Sequence, residues 1–148
     1  MDAAAEKANI RTIVWRLLEE RGVARFPRPV YGRIPNFEGA EEAAERLRNS
    51  EEYARARTVK VNPDSPQRPV RHSVLADGKV LVMATPRIGK GFLVLDPSRI
   101  PRRDFSHAST IKGAFIYGVP THPRKLPQID LIVAGSVAVS PDGWRVGK

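Results

Sequence analysis

Val80-Leu81-Val82-Met83-Ala84 (residues 80–84) is an unbroken apolar run, and Phe92-Leu93-Val94-Leu95 (residues 92–95) repeats the pattern shortly afterwards. Four or five apolar residues without alternation mark strands buried on both faces. Upstream, Thr58-Val59-Lys60-Val61 alternates like a short strand, and downstream Ile129 to Val133 reads as another buried strand. Helical signals lie between these runs. Ser65 followed by Pro66 makes an N-cap and first-turn pair, predicting a helix from Pro66 to Ala76 that ends at Asp77-Gly78. A further helix is predicted from Asp104 to about Lys112. Helices alternating with buried strands specify an α/β fold, with a parallel sheet covered by helices on both sides.

Working outward to the N-terminus, Ile10, Ile13, Val14, Leu17 and Leu18 fall at helical spacing and predict a helix from about Ala3 to Arg21. Gly22 suits the left-handed position just past its end. Residues 23–37 hold three prolines and one glycine and predict an extended crossing, neither helix nor strand. Gly39 to Asn49 repeats Ala40, Ala43, Ala44 and Leu47, a helix with a small-residue face.

The chain has 148 residues, 41% hydrophobic, with no cysteine. A chain of this size buries about 68–70% of its unfolded surface without staples, so residues 1–148 read as one domain. Disulfides, thiolate metal sites and thiol catalysis are excluded. The longest apolar run, Leu131 to Val139, is too short for the ~20 residues of a membrane span, and the acidic start lacks a signal-peptide core. The expectation is a cytoplasmic protein that does not enter membranes. The 25 Lys and Arg against 16 Asp and Glu leave a charge of +9. All of that excess falls after residue 56, which suggests an anionic partner: a nucleic acid or a phosphorylated small molecule.

Open parallel sheets bind ligands at the carboxyl ends of their strands. Asn62–Gln67, Pro86–Arg87 and Gly135–Ser136 fall there. Lys7, Arg11 and Trp15 form an i, i+4, i+8 row beside the apolar stripe of the first helix, which suits either a phosphate clamp or a snorkelling flank. The chain closes with Ser140-Pro141-Asp142-Gly143-Trp144-Arg145-Val146-Gly147-Lys148: a turn, then Arg-x-Gly-Lys, whose amides could hold a phosphate. The spacing from Gly143 to Gly147 is not that of a Walker loop.

Ile129 to Val139 together with Gly143 to Lys148 resembles the 5-formyltetrahydrofolate cyclo-ligase (5,10-methenyltetrahydrofolate synthetase) family. The likeness is greatest to the branch found in archaea and in eukaryotic methenyltetrahydrofolate synthetase domain-containing proteins. Arg33-Ile34-Pro35-Asn36-Phe37 with Gly39, Asn62-Pro63-Asp64 and Thr85-Pro86-Arg87 match in the same order, so the likeness covers nearly the whole chain. It implies a three-layer α/β/α sandwich around a mostly parallel sheet. It also implies an ATP- and Mg2+-dependent closure of 5-formyltetrahydrofolate to 5,10-methenyltetrahydrofolate through a phosphorylated formyl group. On that likeness Lys7, Arg11, Arg145, Gly147 and Lys148 meet the ATP phosphates, while Asp64 and Gln67 meet the folate. No residue is assigned as a metal ligand or as the catalytic group. Two departures stand out. The family's Gly-Tyr-Asp element would follow Lys148, where this sequence stops, and Ser140-Pro141-Asp142 replaces a Phe-Asp pattern.

Two alternatives remain open on the residues. One is a nucleic-acid-binding protein, favoured by the charge but short of aromatics for stacking; Lys90-Gly91-Phe92 and Lys112-Gly113 only begin an RNA-binding motif. The other is a ligand-binding relative without the activity. His72, His107 and His122 lack metal-ligand spacing, and Asp130 reads as a strand-start acceptor, not a catalytic acid. The residues leave the oligomeric state open.

Overall fold

A computed structural model describes residues 2–85 and 91–148. The architecture is α/β, of the three-layer α/β/α class, built on a five-stranded mixed sheet. Contacts divide the chain into two compact units: Met1–Ala40 with Asp64–Pro66 and Gly135–Lys148, and Glu41–Pro63 with Gln67–Ala134.

The second unit holds the sheet. Its strands are β3 (Thr58–Val61), β4 (Val80–Ala84), β5 (Phe92–Leu95), β6 (Val119–Thr121) and β7 (Leu131–Val133), in the order β6-β5-β4-β3-β7. The core of the sheet is parallel, β7 and β4 flanking β3, whereas β5 and β6 return antiparallel. Within the mostly parallel sheet expected, the antiparallel element is this return. Its cause is the short connection after Ala84, since a parallel crossover needs a dozen or more residues.

Because side chains alternate along a strand, Val59 and Val61, Leu81 and Met83, and Leu93 and Leu95 share one face. That face is covered by α3 (Glu51–Arg55), α4 (Arg68–Ala76), α5 (Phe105–Ala108) and α6 (Ile111–Tyr117), through Tyr53, Val70, Val74, Leu75, Phe105, Ala108 and Ala114. β4 is buried on both faces, as its apolar run requires, but Phe92 and Val94 of β5 are only half-buried. β7 is an edge strand, and Ile132 at 60% exposure corrects the reading of 129–133 as fully buried.

Two helix boundaries also differ from expectation. A 3-10 turn occupies Ser65–Gln67, so Gln67 and not Ser65 sits at the N-cap of α4, and Pro69 lies in its first turn. The helix expected over 104–112 breaks at Ser109-Thr110, where the Thr110 hydroxyl accepts from the Gly113 amide at 2.9 Å and starts α6.

A polar knot pins α4 to α3. Asp77 accepts from the Tyr53 hydroxyl at 2.6 Å and from both arms of the Arg48 guanidinium, while Lys79 lies 4.8 Å from the Tyr53 ring centre. Burial works to raise the Asp77 carboxyl, but hydrogen bonds from Arg48 and Tyr53 outweigh it and hold the group below its ordinary value. Burial first, then Asp77, pushes the Tyr53 phenol up, so it stays a donor. A carboxylate with a depressed value stabilises the fold above the ordinary carboxylate range, and that contribution disappears as pH falls through the depressed value. Asp77→Ala is therefore expected to lose about 1–3 kcal/mol at neutral pH. Urea unfolding should show the gap to the unsubstituted protein closing in acid.

In the first unit, α1 (Ala3–Glu20) begins at Asp2, whose side chain accepts from the Ala5 amide at 2.7 Å. It ends before Gly22, which takes φ +69 as expected of a residue past a helix end. None of α1's residues is fully buried. Its covered stripe runs through Arg11, Val14, Trp15, Leu18 and Glu19, rotated from the apolar stripe, so Ile10, Ile13 and Leu17 stay exposed. The rotation follows from polar ties: the Trp15 indole donates to the Arg33 carbonyl at 3.0 Å, and Glu19 accepts from the Val30 amide and from Arg28. Residues 23–37 are mostly extended, with one short ladder between β1 (Ala24–Arg25) and β2 (Asn36–Phe37) that the sequence reading did not foresee. A small hairpin of β8 (Ala138–Val139) and β9 (Arg145–Val146) completes the unit. The small-residue helix appears as α2 (Ala40–Arg48), with Ala40 and Ala44 buried and Ala43 exposed.

Candidate functional site

The hairpin β8–β9 is shaped by its turn. Ser140 clasps Trp144 at both ends, its amide donating to the Trp144 carbonyl at 2.9 Å and its hydroxyl accepting from the Trp144 amide at 3.0 Å. Gly143 takes φ +95 within this turn, a conformation that favours glycine. The clasp fixes where β9 starts and so where Arg145 points.

Arg145 turns back on the chain. Its guanidinium donates to the Gly135 carbonyl at 2.5 Å and to the Ser136 hydroxyl at 3.0 Å. Gly147 packs beneath it: a Cβ added there would lie 3.3 Å from Arg145 Nη2. Arg11, half-buried on α1, donates from Nε to the Gly147 carbonyl at 2.6 Å. Three stretches of the first unit thus meet: the helix carrying Lys7 and Arg11, the Gly135-Ser136 strand end, and the Arg-x-Gly-Lys loop. Lys7 and Lys148 are exposed and, among the described residues, neither ammonium has a hydrogen bond or ion pair. The arrangement offers an exposed ammonium on the loop itself, at Lys148, another at Lys7 one turn along α1 from Arg11, and a loop whose shape is held from behind, which suits a phosphate-bearing ligand.

The other sequence-singled residues fall elsewhere in the chain. Asp64, in the first unit, is half-buried just before the 3-10 turn. Gln67, in the second unit, has a buried Oε1 with no hydrogen-bond partner among the described residues. Thr85 is buried and its hydroxyl donates to the Gly91 carbonyl at 3.2 Å, whereas Pro86 and Arg87 lie outside the described residues. Asp130 accepts from the Arg57 and Thr58 amides at 2.9 and 3.0 Å, and these two donors hold its carboxyl below the ordinary value. It is the strand-start acceptor that its position suggested. His107 meets the Tyr117 ring edge-on, and His122 caps the turn at Pro123–Lys125.

Sequence reasoning missed Arg71. It is 2% exposed, and its guanidinium donates to the Ser109 carbonyl at 2.8 Å and the Asn62 carbonyl at 2.7 Å. The arginine therefore ties the carboxyl end of β3 to the joint between α5 and α6. The signal that could have found it is its place on the Val74 and Leu75 stripe of α4, three and four residues away.

Among the described residues no helix is long and apolar enough to cross a membrane, and no cluster of three or more His, Cys, Asp or Glu could hold a metal. No solved structure matches the chain at a significant level. Proteins with the name methenyltetrahydrofolate synthase domain-containing protein do match. The cattle protein is 40% identical over 148 residues, the mouse protein 42% over 144 and the human protein 39% over 144, covering 99%, 96% and 96% of this chain. The chain spans 39%, 39% and 38% of the length of these relatives. A model of the 5-formyltetrahydrofolate cyclo-ligase family matches residues 3–148, and the chain belongs to that family.

Proposed function

We propose that this chain carries the family's reaction, the ATP- and Mg2+-dependent closure of 5-formyltetrahydrofolate to 5,10-methenyltetrahydrofolate. The observation that supports it most is the 2.6 Å hydrogen bond from Arg11 to the Gly147 carbonyl. It joins the Lys7/Arg11 helix to the Arg-x-Gly-Lys loop, two pieces that lie at opposite ends of the sequence. Phosphoryl transfer needs cations and amides in one place more than it needs a nucleophilic side chain, and this corner supplies both.

In the proposed chemistry the formyl oxygen attacks the γ-phosphorus and ADP leaves. N10 then attacks the activated formyl carbon and gives up its proton, the C–O bond to the phosphate breaks, and the ring closes as inorganic phosphate departs with that proton. Lys7, Lys148 and the loop backbone neutralise and orient the phosphates, and Arg11, Arg145 and Gly147 belong to the same corner. Magnesium, which commonly keeps several waters and binds through substrate phosphates, fits a site without a carboxylate cage by arriving with the nucleotide. On the substrate side, the orphaned Gln67 oxygen is an acceptor awaiting a donor, and a reduced pterin presents ring N–H groups. Asp64 is the second group proposed to face the folate.

The test is MgATP-dependent conversion of 5-formyltetrahydrofolate, followed by absorbance of the methenyl product. Lys7→Ala is expected to weaken MgATP binding by about 1.5–3 kcal/mol while leaving folate binding alone, and Gln67→Leu the reverse. Absence of turnover in a folded protein that binds MgATP would transfer the site to another acceptor and sink the folate reading.

A further inference from the structure

Arg11 and Arg145 carry the charges that the family resemblance aims at phosphate, yet their guanidinium groups are engaged with the chain itself. Arg11 Nε donates to the Gly147 carbonyl at 2.6 Å, and Arg145 Nη2 donates to the Gly135 carbonyl at 2.5 Å. Each carbonyl shares a peptide plane with the following amide. Among the described residues the cis peptides are Phe26-Pro27 and Arg28-Pro29, so the 135–136 and 147–148 bonds are trans. In a trans peptide the C=O and N–H point in opposite directions. Capturing the Gly147 oxygen therefore turns the Lys148 amide away from Arg11, and capturing the Gly135 oxygen turns the Ser136 amide away from Arg145. Neither amide donates to another group among the described residues.

We propose that Arg11 and Arg145 are positioning residues: each clamps a carbonyl from behind so that the amides of Lys148 and Ser136 are presented to a phosphate group. Direct charge contact is left to the ammonium groups of Lys7 and Lys148. The tight seat of Gly147 under Arg145 belongs to the same device, because a side chain there would press on the guanidinium that holds Gly135. A donor already bonded to its own backbone need not be reorganised when ligand arrives, which is the preorganisation that electrostatic catalysis depends on. The proposal rests on the phosphate-binding role given to this loop above.

Nitrogen-15 NMR of the ligand-free protein separates a clamp from a phosphate ligand. The Nε–H resonance of Arg11 is expected to be present and protected from solvent exchange before any nucleotide is added. Arg11→Ala is expected to displace the Lys148 amide resonance, and Arg145→Ala the Ser136 amide resonance, in the absence of ligand. On titration of the unsubstituted protein with MgATP, or with inorganic phosphate as the simpler probe, the Ser136 and Lys148 amides should respond while the Arg11 Nε–H signal stays protected. Arg11→Ala should also raise the MgATP Kd about 10- to 100-fold. An Arg11 Nε–H that exchanges freely until phosphate is added overturns the proposal, as do amides that ignore both substitutions. Protected Nε–H groups with no amide response to MgATP would uphold the clamps and overturn the nucleotide reading, so the two failures are told apart. The measurement on the unsubstituted chain stands even if a variant does not fold.

Discussion

Gly113→Ala is expected to destabilise the fold by about 3 kcal/mol or more, the upper part of the range for overpacking, and to lower the urea midpoint accordingly. A Cβ at this position would lie 1.8 Å from the His107 carbonyl oxygen and 2.4 Å from its carbon, with Ala108 Cα at 3.0 Å. All three are backbone atoms, so no rotamer change can make room. Relief requires α5 and α6 to part, and their buried residues Phe105, Ala108 and Ala114 belong to the core against the sheet. The adjacent Lys112 is exposed, and Lys112→Ala should stay within about 0.5 kcal/mol of the unsubstituted protein. Equal midpoints for Gly113→Ala and Lys112→Ala would contradict the close packing of the two helices.

Arg71→Met is expected to cost about 3–5 kcal/mol, from the ~1–3 kcal/mol for each acceptor left without its donor. Methionine conserves much of the volume, so a cavity is not the reason. The loss comes from the Ser109 and Asn62 carbonyls, which would each lose a charge-assisted donor. Arg71→Lys should recover only part of it, since a single ammonium cannot reproduce the planar fork that reaches both. Thermal unfolding of the two variants side by side checks the ordering; full recovery by lysine would mean that charge alone matters there.

These two positions mark where sequence reading reached its limit. The strand at 80–84 was legible because burial on both faces writes itself as an apolar run, and the one at 58–61 because it alternates. The direction of β5 follows from the spacing, because the gap after Ala84 is too short for a crossover. Ile132 deceived because an edge strand keeps β-favouring residues while one face stays in water. The break at Ser109-Thr110 was encoded in a capping threonine, and went unread because the flanking residues fit a single helix equally well. In the candidate site, the helical spacing of Lys7 and Arg11 and the Arg-x-Gly-Lys ending were visible as motifs. What Arg11 and Arg145 touch was not, since a carbonyl acceptor is present at every residue and no residue type announces which one is chosen. Arg71 was hidden by its own chemistry: arginine is almost never fully buried unless its charge is matched by partners, and the two carbonyls that it grips lie nine and thirty-eight positions away.

The order of strands sets a schedule for synthesis. β3 pairs with β4 and also, through Val59 with Leu131 and Val61 with Val133, with a strand some seventy residues further along. A nascent chain that has emerged from the ribosome as far as β6 therefore carries its central strand with one side unpaired. Unpaired strand edges are templates for association with other chains. Asp130 then acts as a latch at the moment of closure, its carboxylate capturing the Arg57 and Thr58 amides as β7 arrives. During translation, the span between β3 and Asp130 is an interval in which that strand edge is open to neighbouring chains.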